Sequence, residues 1–133
     1  MGEKSYADKP LLDKLGVRPG MRVSVLGKDA QDPEFLAALA KRVPGFSLGI
    51  GLQESDVVFI VVQSPWDHYT LSSLRYTIKP DGAIWAMFRK GQKDFNETHV
   101  RMAGLEAGFV DVKVVRFSET HTALKFVIRK AER

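Results

Sequence analysis

The sequence predicts an α/β fold, a three-layer sandwich with a mostly parallel, twisted sheet of about six strands and a C-terminal antiparallel hairpin. Segments of strand and helix character alternate along the chain. Residues 56–62 and 83–88 are apolar at nearly every position, which is typical of parallel strands buried on both faces. Only the five residues 118–122 separate the last two strands, too few for a crossover helix, so those strands must be antiparallel.

The first part of the chain, residues 1–20, is predicted to form an N-terminal helix at 9–15 and a lead-in to the first strand at 22–26. Asp32 is a favourable N-cap for the next helix, and Pro33 suits its first position because the missing N–H costs nothing there. The apolar residues of this helix recur with the spacing of one buried face: Phe35, Leu36, Leu39, Ala40 and Val43.

The remaining elements follow in the same alternating order. A short strand is predicted at 46–50, and a helix at 66–79 that ends before a Pro-Asp-Gly turn. An asparagine N-cap opens a helix over 96–107, which a glycine terminates. The hairpin strands are predicted at 111–117 and 123–129. We therefore expect helices on both faces of the sheet.

Composition limits the classes of function. The 133 residues, 44% of them hydrophobic, suit one domain covering 1–133. With no cysteine, the chain has neither disulfides nor thiolate metal sites, and the cytoplasm is the expected location. The longest apolar run, 57–62, is too short to cross a bilayer, and the N-terminal residues have no apolar signal-peptide core.

The net charge of +4 would attract acidic partners only weakly, because basic and acidic residues are mixed along the chain. The densest basic group, Arg89, Lys90 and Lys93, has a single aromatic residue, Phe95, close to it. Nucleic-acid binding requires a basic stripe interleaved with stacking aromatics. This pattern favours a solvated basic loop over a phosphate or nucleic-acid site.

Five stretches resemble class I S-adenosylmethionine-dependent methyltransferases. They read LGVRPGMRVSVLG, SDVVFIVV, IKPDGAIWAMF, LEAGFVDVKVV and ALKFVIRK, and they are similar to that family's first, fourth and fifth strands, terminal helix and closing hairpin. The resemblance implies a Rossmann-like fold and S-adenosylmethionine as cofactor. The chain is shorter than the family by about one strand and one helix, and as a whole it is similar to a small bacterial domain family of unassigned activity with this reduced plan.

The resemblance does not extend to the residues that hold the cofactor. The family has a glycine-rich loop after its first strand, whereas this chain has Gly27 followed by Lys28 and Asp29. The family also has an acidic residue after the second strand, and residues 49–52 contain none. We therefore predict a non-catalytic domain without this cofactor that binds a small molecule or a protein. The alternative is an S-adenosylmethionine-dependent methyltransferase with an atypical cofactor site.

The stretch QSPW, at 63–66, lies where some amino-group methyltransferases have a catalytic loop, but it is one proline shorter. The loss of one residue would move the catalytic groups by roughly 3.3 Å. Alternatively, Ser64, Pro65 and Asp67 form a capping box that begins a helix. The capping box is the interpretation we favour, because each of these residues suits its position there.

Ligands of open α/β sheets bind beyond the carboxyl ends of the strands, where the winding reverses. We expect this crevice between the strands 22–26 and 56–62. Its candidate ligand-binding residues are Gly27, Lys28, Asp29, Ser64, Trp66, His68 and His121. His68 and His121 are each either a general base or an exposed side chain. No spacing indicates a metal site, and no residue is predicted to be catalytic.

Lys125 alternates with apolar residues in the last strand, where a buried ammonium group would need a partner. Its stem can lie across apolar surface while its head reaches water or Glu119. The alternative is a buried lysine with a functional role.

Overall fold

The computed structural model describes residues 10–27, 32–49 and 51–133. The helices are α1 (Leu11–Lys14), α2 (Pro33–Arg42), α3 (His68–Leu74) and α4 (Glu97–Glu106). The strands are β1 (Val23–Leu26), β2 (Ser47–Leu48), β3 (Ser55–Val61), β4 (Ile78–Arg89), β5 (Phe109–Arg116) and β6 (His121–Ile128). Single 3₁₀ turns cover Pro65–Asp67 and Lys130–Glu132.

The six strands form a sheet with the order β2-β1-β3-β4-β6-β5. The first four strands are mutually parallel, and β6 lies antiparallel between β4 and β5. The short turn between β5 and β6 forces this arrangement, since it can only reverse the chain. The predicted α/β class, with a mostly parallel sheet and a C-terminal antiparallel hairpin, is confirmed.

The helices cover both faces of the sheet, so the sandwich has three layers. On one face, α1 and α2 pack over Val57 and Phe59 of β3. On the other face, α3 and α4 pack over Val58 and Ile60 of the same strand. Because side chains alternate along a strand, a strand covered on both faces must be apolar at consecutive positions.

Helix α1 is fixed to the sheet through its C-terminal carbonyl groups. The indole N–H of Trp85, which is fully buried in β4, donates to the carbonyl of Leu15 at 3.0 Å. The ammonium group of Lys113 on β5 donates to the carbonyl of Lys14 at 3.1 Å. Both donors satisfy carbonyls that a helix end leaves without an intrahelical partner.

The crossover from β2 to β3 has no helix in its described residues, 49 and 51–54. It lies along β1, where the backbone N–H of Leu52 donates to the Ser24 hydroxyl at 2.8 Å. The hydroxyls of Ser24 and Ser55 are both buried and lie 3.0 Å apart. This short connection, with β2 at the sheet edge, agrees with the predicted loss of about one strand and one helix.

The helix predicted over 66–79 was too long. The α-helix ends at Leu74, and Ile78 is already the first residue of β4, paired with Ser55. The apolar spacing of Leu71, Leu74 and Ile78 suited a helix, yet Ile78 enters the same core from a strand. Apolar spacing alone cannot distinguish one long helix from a helix followed by a strand when both bury side chains in the same cluster.

The other differences are shifts of element ends. The strand predicted at 46–50 is only the two residues Ser47–Leu48. The hairpin strands β5 and β6 each begin two residues earlier than predicted. The turn between them is therefore residues 117–120, and His121 lies in the sheet rather than in the turn.

Candidate functional site

The winding of the sheet reverses between β1 and β3, because β2 lies on one side of β1 and the later strands lie on the other. Gly27 directly follows β1 with a φ of +92°, a conformation that glycine adopts without strain. A Cβ atom at this position would lie 3.4 Å from Val61 Cβ on β3. The predicted neighbourhood of these two strand ends is confirmed. Lys28 and Asp29 lie outside the described residues.

The segment after β3 is a helix start. The carboxylate of Asp67 accepts hydrogen bonds from the backbone N–H groups of Gln63 at 2.6 Å and Ser64 at 3.0 Å. A 3₁₀ turn with Pro65 at its first position leads into α3. The interpretation of QSPW as a helix start is confirmed. Because Asp67 engages both backbone donors, neither is directed at a ligand.

The side chains of Trp66 and His68 contact neighbouring helical residues. The Trp66 side chain is 72% exposed and stacks on Tyr69, with ring centroids 6.3 Å apart. The Nδ1 atom of His68 lies 2.9 Å from the carbonyl of Pro65, and its Nε2 atom lies 4.0 Å from the carboxylate of Glu106 on α4. His68 therefore bridges two helical segments.

A cavity of about 190 Å³ lies at the carboxyl ends of β3 and β4, beside the start of β6. Its lining residues are Val61, Val62, Gln63, Arg89, Gln92 and His121. Of the predicted site residues that the structure describes, His121 lines this cavity. Gly27, Ser64, Trp66 and His68 do not.

His121 is held in place by the hairpin turn. Its side chain is buried, and its Nδ1 atom lies 2.8 Å from the hydroxyl of Thr120. Its backbone N–H donates to the Ser118 hydroxyl at 3.1 Å. In the sheet, His121 is the direct cross-strand neighbour of Arg89, the last residue of β4. The imidazole and the guanidinium therefore come from adjacent positions on antiparallel strands.

Gln92 organises the turn that follows β4. Its side-chain amide donates to the carbonyls of Arg89 at 3.4 Å and Phe95 at 3.3 Å. Neither Gln63 nor Gln92 was among the predicted site residues, and Arg89 was predicted only to lie in a solvated basic loop. Position in the chain was the signal that could have identified these three residues, because each lies at or just after the carboxyl end of a strand.

A larger open groove of about 1060 Å³ lies between α1, α2 and the β5–β6 turn. Its lining residues include Glu34, Ala37, Ala38 and Lys41, which are exposed on α2. Both acidic and basic residues line it, so its charge indicates no particular ligand class.

The strongest titration effects lie away from the cavity. Burial, followed by repulsion from Lys113, lowers the pKa of Lys125, whose ammonium lies 5.9 Å from the Trp85 ring centroid. No ion pair between described residues joins Lys125 to Glu119, so the expected contact with that acid is not found. Within the described ranges no group of three potential ligands could hold a metal ion, and no helix there is long and apolar enough to cross a membrane.

No protein-family model and no curated protein matches the sequence. Solved structures do match the fold. An S-adenosylmethionine-dependent methyltransferase of Aquifex aeolicus aligns over 90% of this chain and 88% of its own, with 14% identity and a TM-score of 0.61. A TehB-like S-adenosylmethionine-dependent methyltransferase of Corynebacterium glutamicum aligns over 96% and 90%, with 10% identity and a TM-score of 0.56.

The 1,6-didemethyltoxoflavin-N1-methyltransferase of Burkholderia thailandensis, solved with 1,6-didemethyltoxoflavin and S-adenosylhomocysteine, aligns over 87% of this chain and 73% of its own. The identity is 14% and the TM-score is 0.58. At sequence identities this low, structural similarity supports a shared architecture but not a shared chemistry. The chain therefore has a reduced class I methyltransferase fold of the Rossmann-like type.

Proposed function

We propose that this chain is a non-catalytic domain that uses a methyltransferase-like fold to bind a small ligand at the carboxyl edge of its sheet. The cavity between β3, β4 and β6 carries the proposal. It lies on the side of the sheet where open α/β folds bind ligands, and it combines an apolar wall, Val61 and Val62, with the polar side chains of Gln63, Arg89 and His121.

The size of the cavity limits what it can hold. Sites for drug-sized ligands usually measure about 300–1,000 Å³. A cavity of about 190 Å³ is smaller than that range and has room for one end of a ligand. The rest of the ligand would lie at the mouth, along the carboxyl ends of the neighbouring strands.

The residues at the end of β2 do not fit S-adenosylmethionine. In the family that this chain resembles, a carboxylate after the second strand binds the ribose hydroxyls. Here the chain continues from Leu48 through residues 49–52, which contain no acid. The backbone N–H of Leu52, at the end of this stretch, donates a hydrogen bond to the Ser24 hydroxyl. The ribose of the cofactor would therefore lack its main polar partner, and we derive no methyl-transfer step.

Gly27 favours a second candidate, a methyltransferase with an atypical cofactor site. It keeps the left-handed conformation and the close approach to Val61 that a cofactor loop requires. Titration calorimetry of the whole chain with S-adenosylmethionine distinguishes the candidates. We expect no saturable binding. Micromolar binding that is lost in Gly27→Leu would support the second candidate and contradict the first.

A thermal-shift screen against small metabolites tests the binding proposal directly. Gln63→Trp places an indole in the cavity mouth, and Gln53→Trp makes the same change at an exposed position before the opposite end of β3. We expect ligands that raise the melting temperature of the native chain and of Gln53→Trp but not of Gln63→Trp. Ligands that stabilise all three proteins equally would show that the cavity is not the binding site.

A further inference from the structure

We propose that the cavity between β3, β4 and β6 binds the anionic end of its ligand, a carboxylate or a phosphate. This inference rests on the proposed function and adds the chemical class of the bound group. It depends on Arg89, which lines the cavity, and on the described acidic residues, which do not.

Arg89 supplies the positive charge. A guanidinium presents N–H donors in a fixed fork that matches the oxygens of a carboxylate or a phosphate. None of the ion pairs between described residues involves Arg89. Its charge is therefore not neutralised within that part of the chain, and a ligand anion can provide the missing partner.

The other polar residues of the cavity lie beside Arg89 in the structure. His121 is the cross-strand neighbour of Arg89, with its ring oriented by the Thr120 hydroxyl. Gln92 holds the carbonyl of Arg89 and so acts as a positioning residue for the strand end. Gln63 adds a carboxamide from the segment that follows β3.

Among residues 10–27, 32–49 and 51–133, no carboxylate lines the cavity. The acidic residues closest along the chain are Asp67, Asp94 and Glu119, and none of them is among the lining residues. Asp67 is engaged in capping the helix start. A cationic ligand would therefore meet Arg89 without a compensating carboxylate from the described lining residues, whereas an anionic group would form charge-assisted hydrogen bonds.

NMR titration of the whole chain suits the weak affinity of isolated anions. The probes are inorganic phosphate, acetate and neutral glycerol, and the signals are the backbone amides of the lining residues. We expect saturable shifts with phosphate or acetate and none with glycerol. A response to phosphate alone would identify a phosphoryl ligand, and a response to acetate alone would identify a carboxylate ligand.

Two arginine variants test the role of charge. Arg89→Gln removes the guanidinium of a cavity-lining residue. Arg116→Gln removes the same charge from the exposed end of β5, at the same sheet edge but outside the cavity. We expect about tenfold weaker anion binding in Arg89→Gln, the factor that one charge-assisted hydrogen bond supplies, and unchanged binding in Arg116→Gln.

Three results would overturn the inference: equal weakening in both variants, undiminished binding in Arg89→Gln, or no response to either anion. If neutral ligands still bind and are blocked by Gln63→Trp, the proposed function stands without the anion preference. If Gln63→Trp blocks no ligand of any class, the proposed function itself fails.

Discussion

Replacing Gly104 with alanine should destabilise the protein, although alanine is the better helix former. Gly104 lies in the last turn of α4 and is buried against Phe126 of β6. An added Cβ atom would lie 2.6 Å from Cδ1 of the Phe126 ring and closer still to two other ring atoms. Carbon atoms in contact are separated by about 3.5–4.0 Å, so the ring or the helix would have to move by roughly 1 Å or more.

Two effects of opposite sign determine the magnitude. Alanine in place of glycine in a helix interior contributes about 1 kcal/mol of stability. Overpacking a core costs about 1–3 kcal/mol, and the cost should lie at the upper end here because the Phe126 ring is 0% exposed and has no space to move into. The net free energy of unfolding should fall by about 2 kcal/mol.

Urea unfolding followed by circular dichroism measures this change. With an m-value of about 1–3 kcal/mol/M, the midpoint should fall by roughly 1 M while the slope stays constant. The control is Phe126→Leu, alone and combined with Gly104→Ala. Because leucine makes room for the new methyl group, the double variant should be more stable than the sum of the single changes implies. Strict additivity, or a more stable Gly104→Ala protein, would refute the packing argument.

Two further predictions concern charge. Burial, then Lys113, lowers the pKa of Lys125, so the unfolded chain binds more protons and native stability rises with pH towards 10.5. Lys125→Met should therefore raise the melting temperature at pH 7, by a margin that shrinks towards pH 10.5. Burial opposes ionisation of Asp56, but the Arg22 N–H at 2.8 Å and Lys79 at 3.0 Å outweigh it and hold its pKa below 3.8. Asp56→Asn should cost about 1 kcal/mol at pH 7 and progressively less as the pH falls below 3.8, as measured by urea unfolding across pH.

The fold was predictable because the sequence patterns that indicate it most strongly do not depend on how the strands are paired in register. The consecutive apolar residues of β3 require cover on both faces, and the short turn before β6 requires an antiparallel strand. The end of α3 could not be predicted from the apolar spacing. Ile78 continues the helical spacing of Leu71 and Leu74, and only the tertiary structure shows that it belongs to β4.

The sheet edge of the candidate site was predictable, but neither its position along that edge nor the grouping of its side chains was. The predicted crevice lies between β1 and β3, whereas the cavity lies between β3, β4 and β6. Topology directs attention to the carboxyl ends of the strands. The pairing of His121 with Arg89 depends on the hairpin register, which in turn depends on β6 beginning at residue 121. A shift of one residue would have directed the imidazole to the opposite face of the sheet. The sequence pattern alone does not determine that register.

The antiparallel strand explains why a cavity can form beyond β4. In a wholly parallel sheet, the strand beside β4 would begin at the opposite edge, and only its last residues would lie near Arg89. Because β6 is antiparallel, its first residue, His121, lies beside the last residue of β4. The turn after β4 and the hairpin turn before β6 therefore meet at one edge, where the backbone N–H of Lys90 donates to the carbonyl of Thr120 at 2.9 Å. Two loops joined in this way can hold a charged group without contributions from the β1–β3 strand ends, which lie on the other side of β3.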